Sequence, residues 1–173
     1  MAIQTVTYTP LITAGEFTPR YAAENGALGS ITYAYQIGKY YRIGDLVQIW
    51  VELATASYSI PSPVVIPNLL YVDLPGAPTA WGSGSGLAAT SQAMQCNNWY
   101  GYDGAHAFHP HSAAIYRGSN RVILGRGSQP GVASSLTRPG DAYNNEFTLV
   151  TELTNHTTNT RNECRFSMTY TTS

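Results

Sequence analysis

The stretch that most constrains this chain is GKYYRIGDLVQIWVEL, Gly38 to Leu53. Val47, Ile49, Val51 and Leu53 alternate on one face, and Gln48, Trp50 and Glu52 on the other. Period-two alternation is the mark of a half-buried strand. Gly44-Asp45, between Ile43 and Leu46, is a two-residue turn led by glycine, which supplies the positive φ that a primed hairpin turn needs. A face made of β-branched residues and leucine suits a sandwich core. Trp50 on the polar side marks either a second packed layer or an interface.

The rest of the chain repeats this pattern, and helical signals are almost absent. Thr5 to Tyr8 reads as a short strand, followed by Pro10 and TAGEFTPR as a loop. Ser30 to Ile37 alternates, with Ile31, Tyr33, Tyr35 and Ile37 on one face. The prolines of SYSIPSPVVIPNLLYVDLPG cannot donate to a ladder, which leaves a short strand near Leu69 to Leu74. GAPTAWGSGSG reads as a flexible loop and Leu87 to Cys96 as a strand. Ser112 to Tyr116 and Arg121 to Leu124 form a second hairpin around RGSN. Phe147, Leu149, Thr151 and Leu153 alternate in a late strand. ECRFSMTYT puts Cys164, Phe166, Met168 and Tyr170 on one face. About eight strands without helices predict an all-β fold, an antiparallel β-sandwich of jelly-roll type, as a single domain over residues 1–173. Long loops at 54–70, 76–86, 97–111 and 125–144 are where function is expected.

Charge narrows the partners. Only 11% of residues are charged, against about 25% in an average soluble domain. The net charge is −1, Lys39 is the only lysine, and the arginines are scattered. The basic footprint of a nucleic-acid binder is missing. No stretch reaches the ~20 apolar residues of a membrane span, and MAIQTVTYTP lacks the features of a signal peptide. A chain made and kept in the cytosol, or assembled there, is expected. Cys96 and Cys164 both lie inside apolar alternation and read as buried free thiols.

Little in the sequence carries chemistry. His106, His109 and His111, with Asp103 and Cys96 near them, are a candidate zinc or nickel set. The alternative is a loop whose histidines hydrogen-bond or stack, because Pro110 interrupts the spacing. Trp99, Tyr100, Tyr102 and Phe108 flank these histidines. They suit a subunit interface, where such residues are enriched, or stacking on sugar rings. No pair of carboxylates stands out for glycoside hydrolysis. GSGSG lacks both the strand-turn-helix frame of a nucleophile elbow and the Gly-Lys-Ser/Thr of a phosphate loop. The expectation is a non-enzyme without a cofactor.

The order of motifs has a family likeness. Tyr8-Thr9-Pro10-Leu11, then Gly38 with Tyr40 or Tyr41, then Ile43-Gly44-Asp45-Leu46-Val47, then Leu74-Pro75 resembles a β-sandwich module of tailed-bacteriophage virion proteins. RFSMTYTTS is similar to its terminal strand. The likeness covers residues 5–78 well and 163–172 loosely; 79–162 shows none. That module occurs in small head-decorating proteins and at the ends of tail fibres. The resemblance therefore implies a structural virion role. The first expectation is a capsid decoration, or cement, protein on the outer surface of the capsid, binding the major capsid protein and itself, often as a homotrimer. The alternative is a tail-fibre or receptor-binding knob recognising a host glycan. A weaker one is a head–tail or baseplate accessory protein. Length, with the module starting close to Met1, favours decoration.

Overall fold

The hairpin read from the sequence is the spine of one sheet. In the computed structural model, which describes residues 12–24, 28–59, 69–83, 86–91, 95–97, 110–126 and 162–172, strand β3 (Ser30–Ile43) turns at Gly44-Asp45 into β4 (Leu46–Ser59). Ile43 and Leu46 are direct partners across that turn. Gly44 takes a φ of 57°, as the tight turn requires. Val47, Ile49, Val51 and Leu53 are all at most 1% exposed.

Ten strands form among the described residues. The others are β1 (Ile12–Phe17), β2 (Arg20–Ala23), β5 (Leu70–Asp73), β6 (Leu87–Ser91), β7 (Gln95–Asn97), β8 (Pro110–Tyr116), β9 (Arg121–Arg126) and β10 (Glu163–Thr171). They make two five-stranded sheets, ordered β1-β3-β4-β10-β7 and β2-β5-β9-β8-β6. Every pairing is antiparallel. The inner faces close on one core. Val47, Ile49, Phe166, Met168 and Tyr170 from the first sheet meet Leu70, Val72, Ile115, Val122 and Leu124 from the second. The fold is a β-sandwich.

Several expectations change. TAGEFTPR is not a loop, since β1 and the start of β2 run through it. β4 continues to Ser59, so the loop expected from residue 54 begins later. The strand expected from Leu87 to Cys96 is described as two pieces, β6 and β7. The strands expected at Thr5–Tyr8 and around Phe147–Leu153 lie outside the described residues.

Ile31, Tyr33, Tyr35 and Ile37 do not share a face. The β3–β4 register shifts twice, between Thr32 and Tyr33 and between Tyr33 and Tyr35. An extra residue in one strand reverses the facing of all that follow. Ile31 and Tyr33 pack on the core, whereas Ile37, opposite Glu52, is 43% exposed.

A buried polar knot joins the sheets beside these shifts. Asn162 N–H donates to Thr55 Oγ1 at 3.1 Å, and Thr55 N–H donates to Asn162 C=O at 3.2 Å. Tyr21 of the second sheet donates its hydroxyl to the same carbonyl at 3.1 Å. Tyr33 Oη in turn accepts the Tyr21 N–H at 2.8 Å. Buried polar groups need such partners to avoid a desolvation cost of about 1–3 kcal/mol each. The second sheet has its own clasp. Asp73 accepts Arg121 Nε at 2.7 Å and lies 3.6 Å from Arg20 Nε, while Arg121 stacks over Tyr71.

Candidate docking surface

The outer face of the first sheet is divided along its length. Toward the middle and far end it is ionic: Lys39 lies 3.9 Å from Glu16, and Arg165 lies 3.8 Å from Glu52 and 2.9 Å from Glu163. At the hairpin end it is apolar. Ile12, Ile43 and Leu46 form one row, as direct partners across β1, β3 and β4, and each is about half exposed. Behind them Tyr41 and Trp50 meet edge to face, with ring centroids 5.4 Å apart. The hairpin sets this geometry, because residues two apart on a strand share a face. Tyr41 and Ile43 on β3, and Leu46 and Trp50 on β4, all take outward positions.

The row continues around the end of the sandwich. Thr171 is the partner of Leu46 on β10, and its carbonyl accepts the Trp81 N–H at 2.7 Å. Trp81 is 53% exposed, with the Arg117 guanidinium 5.9 Å from its ring centroid. The Arg117 N–H donates to Gly86 C=O at 3.0 Å, next to exposed Leu87. Backbone hydrogen bonds thus hold exposed Trp81 and Leu87 at the same end of the sandwich as the row, with Thr171 and Arg117 between them.

The segment around Trp81 reads as flexible from its glycines, yet residues 76–83 are held in place. Ala80 N–H donates to Ser119 C=O, and Gly118 N–H donates to Ala80 C=O. Ala77 and Ala80 are buried, and Tyr170 Oη donates to Pro78 C=O at 2.6 Å. The anchors come from β10 and the β8–β9 turn, remote in sequence, so composition alone does not reveal them.

Of the residues singled out from sequence, Trp50 lies in this apolar area, 38% exposed. Trp99, Tyr100, Tyr102, Phe108, His106 and His109 lie outside the described residues. His111 falls in β8 at a register shift between Pro110 and Ser112. Ile12, Ile43, Leu46, Trp81 and Leu87 were not foreseen as a group. The available signal was that Ile43 and Leu46, flanking Gly44-Asp45, put an apolar pair on the face opposite Val47.

Among the described residues, no three His, Cys, Asp or Glu side chains group as a metal site. A shallow groove of about 280 Å³ lies between Glu16, Phe17, Gln36 and Lys39, at the opposite end of β1 from Ile12. No family model matches the chain, and no curated protein or solved structure does so either.

Proposed function

We propose that this chain is a tailed-phage virion structural protein, a jelly-roll sandwich that decorates the outer surface of the capsid and docks on the major capsid protein. The observation that carries the reading is the apolar row Ile12–Ile43–Leu46 and its continuation to Trp81 and Leu87. Contiguous exposed apolar area on a protein surface marks an interaction site. Covering the exposed half of one such side chain is worth roughly 1 kcal/mol, so several of them together sustain a specific contact.

The chemistry around the row suits a large protein partner. The chain is poor in charge, and the hairpin tip holds its own ions: Arg42 donates to Gly44 C=O at 2.6 Å and lies 3.7 Å from Asp45. Little charge must then be stripped of water on docking. A shell presents the same site many times, and a homotrimer touching it at three places gains avidity from modest single contacts. A protein that binds the assembled shell and not its separated subunits stabilises the shell by mass action.

The test compares particles with and without this protein. Particles lacking it should rupture at a lower temperature and under milder osmotic shock, and adding the purified chain should restore them. An unchanged rupture threshold, with the chain located on the tail in a virion density map, would replace decoration by the fibre reading.

A further inference from the structure

Cys96 and Cys164 are the chain's two cysteines, and the fold makes them direct partners across the β7–β10 ladder. The hydrogen bonding of β10 on its other side defines the kind of pair they form. The β4–β10 register runs without a shift from Leu46↔Thr171 to Ala54↔Glu163. Just beyond its two ends, Thr172 N–H donates to Asp45 C=O at 2.9 Å and Thr55 N–H to Asn162 C=O at 3.2 Å. Hydrogen-bonded pairs alternate along an antiparallel ladder. The even-numbered residues of β10, Cys164 among them, therefore turn their N–H and C=O toward β4. On the β7 side Cys164 and Cys96 are a non-hydrogen-bonded pair. Such pairs bring Cα atoms to about 4.5 Å, inside the span of about 4.4–6.8 Å that a disulfide bridges.

We propose that Cys96 and Cys164 form a cross-strand disulfide that staples the edge strand β7 to β10. β7 is three residues long and is held to β10 through three register pairs, the kind of short edge that a covalent bond secures. The bridge would also close the chain from 97 to 163 into a loop that contains β8 and β9.

The bond forms by exchange with a low-molecular-weight disulfide such as oxidised glutathione. The Cys96 thiolate attacks one sulfur of the reagent and expels the first small thiol. The Cys164 sulfur then attacks Cys96 in the mixed disulfide and expels the second. One S–S bond passes to the protein, the two protons of its thiols go to the two leaving thiols, and the reagent takes the two electrons. Cys164 is a free thiol in the structure, fully buried, with its sulfur 3.4 Å from the Tyr21 hydroxyl oxygen. Burial pushes this thiol up to about 12, so closure belongs to folding, before the core seals. The same burial then shields the finished bond from reductants.

The full chain should be denatured, reduced, refolded in a mixture of reduced and oxidised glutathione, and digested without reduction. The expected result is one peptide pair joining Cys96 to Cys164, a mass lower by two hydrogens, and no thiol titratable in denaturant. Material reduced in denaturant and refolded in the presence of a reductant should melt lower by on the order of 10 °C, and the same treatment should leave Cys96→Ser unmoved. Two titratable thiols per chain, glutathione adducts alone, or bridges only between chains would overturn the proposal. The thiol count and peptide map decide on the unmutated chain even where Cys96→Ser does not fold.

Discussion

The ring of Phe17 lies over Gly38, its direct partner across the β1–β3 ladder. Two residues along, the relation is reversed, and the Tyr40 ring lies over Gly15. Each glycine leaves room on the sheet that an aromatic from the other strand fills. Phe17 is 7% exposed and belongs to the core, and Tyr40 packs against it. The pairing fastens an edge strand by side-chain burial as well as by backbone hydrogen bonds.

Gly38→Ala should cost more than Gly15→Ala. A Cβ on Gly38 would press on the Phe17 ring and lie 2.7 Å from the Phe17 carbonyl oxygen, which belongs to the backbone and cannot step aside. The atoms nearest a Cβ on Gly15 would be the outer end of Tyr40, at 2.5–2.6 Å, a side chain that can swing away. Overpacking of this kind costs about 1–3 kcal/mol. Urea unfolding should place Gly38→Ala near the upper end and Gly15→Ala near the lower. The reverse order would mean that the rings do not sit over the glycines.

This pairing explains what the sequence did and did not make legible. Where a face is decided by one strand's own alternation, it was readable: Val47, Ile49, Val51 and Leu53, and Cys164, Phe166, Met168 and Tyr170, are buried as their spacing predicts. β1 was not readable, because Gly15 stands where a strand residue would carry a side chain and Tyr40 fills its place from 25 positions away. The facing of Tyr35 and Ile37 was not readable either, since the extra residue Ala34, between Tyr33 and Tyr35, reverses it and no local residue announces it. The docking surface needed three dimensions for the same reason. Trp81 joins Leu46 only through Thr171, a contact set by backbone hydrogen bonds between distant segments.

Tyr58 and Tyr170 form a natural pair of opposites. Both are 3% exposed. The Tyr170 hydroxyl donates to Pro78 C=O at 2.6 Å, whereas that of Tyr58 has no hydrogen-bond partner among the described residues. A satisfied hydrogen bond contributes about 0.5–1.5 kcal/mol, and an unsatisfied buried hydroxyl costs a similar amount or more. Tyr170→Phe should therefore lower stability by about 1 kcal/mol, and Tyr58→Phe should leave it unchanged or raise it. Chemical denaturation of the two variants would show opposite signs, and equal losses would mean that Tyr58 Oη has a partner.

The same burial predicts alkaline instability. Desolvation pushes the Tyr58 and Tyr170 hydroxyls up to about 12 from an ordinary 10, and the Cys164 thiol up to about 12 from 9. All three groups are neutral in both states below pH 9. Above that, the unfolded chain loses protons that the folded chain keeps, so stability falls as pH rises, first through Cys164 and from pH 10 through the tyrosines as well. Each group contributes a slope of about 1.4 kcal/mol per pH unit while only the unfolded form is ionised. Unfolding free energy measured on reduced protein should decline from about pH 9 and steepen above 10. Cys164→Ala should remove the first part of the decline, and a profile flat to pH 11 would contradict the buried state of these groups.

Docking should depend on one end of the first sheet's outer face and not on the other. Leu46 is 48% exposed in the centre of the apolar row, so Leu46→Glu removes no core contact of the kind its neighbour Val47 makes. A carboxylate placed there must be desolvated wherever the row is covered, at a cost of several kcal/mol when it finds no partner. Binding to empty capsids, followed by co-sedimentation, should weaken at least about 100-fold, the equivalent of 2.7 kcal/mol. Circular dichroism and the thermal midpoint should stay those of the parent chain. Lys39→Gln, in the exposed ion pair with Glu16, serves as the control on the ionic part of the face, where a solvated pair is worth little. If Leu46→Glu binds as tightly as the parent and Lys39→Gln does not, the contact lies at the ionic end.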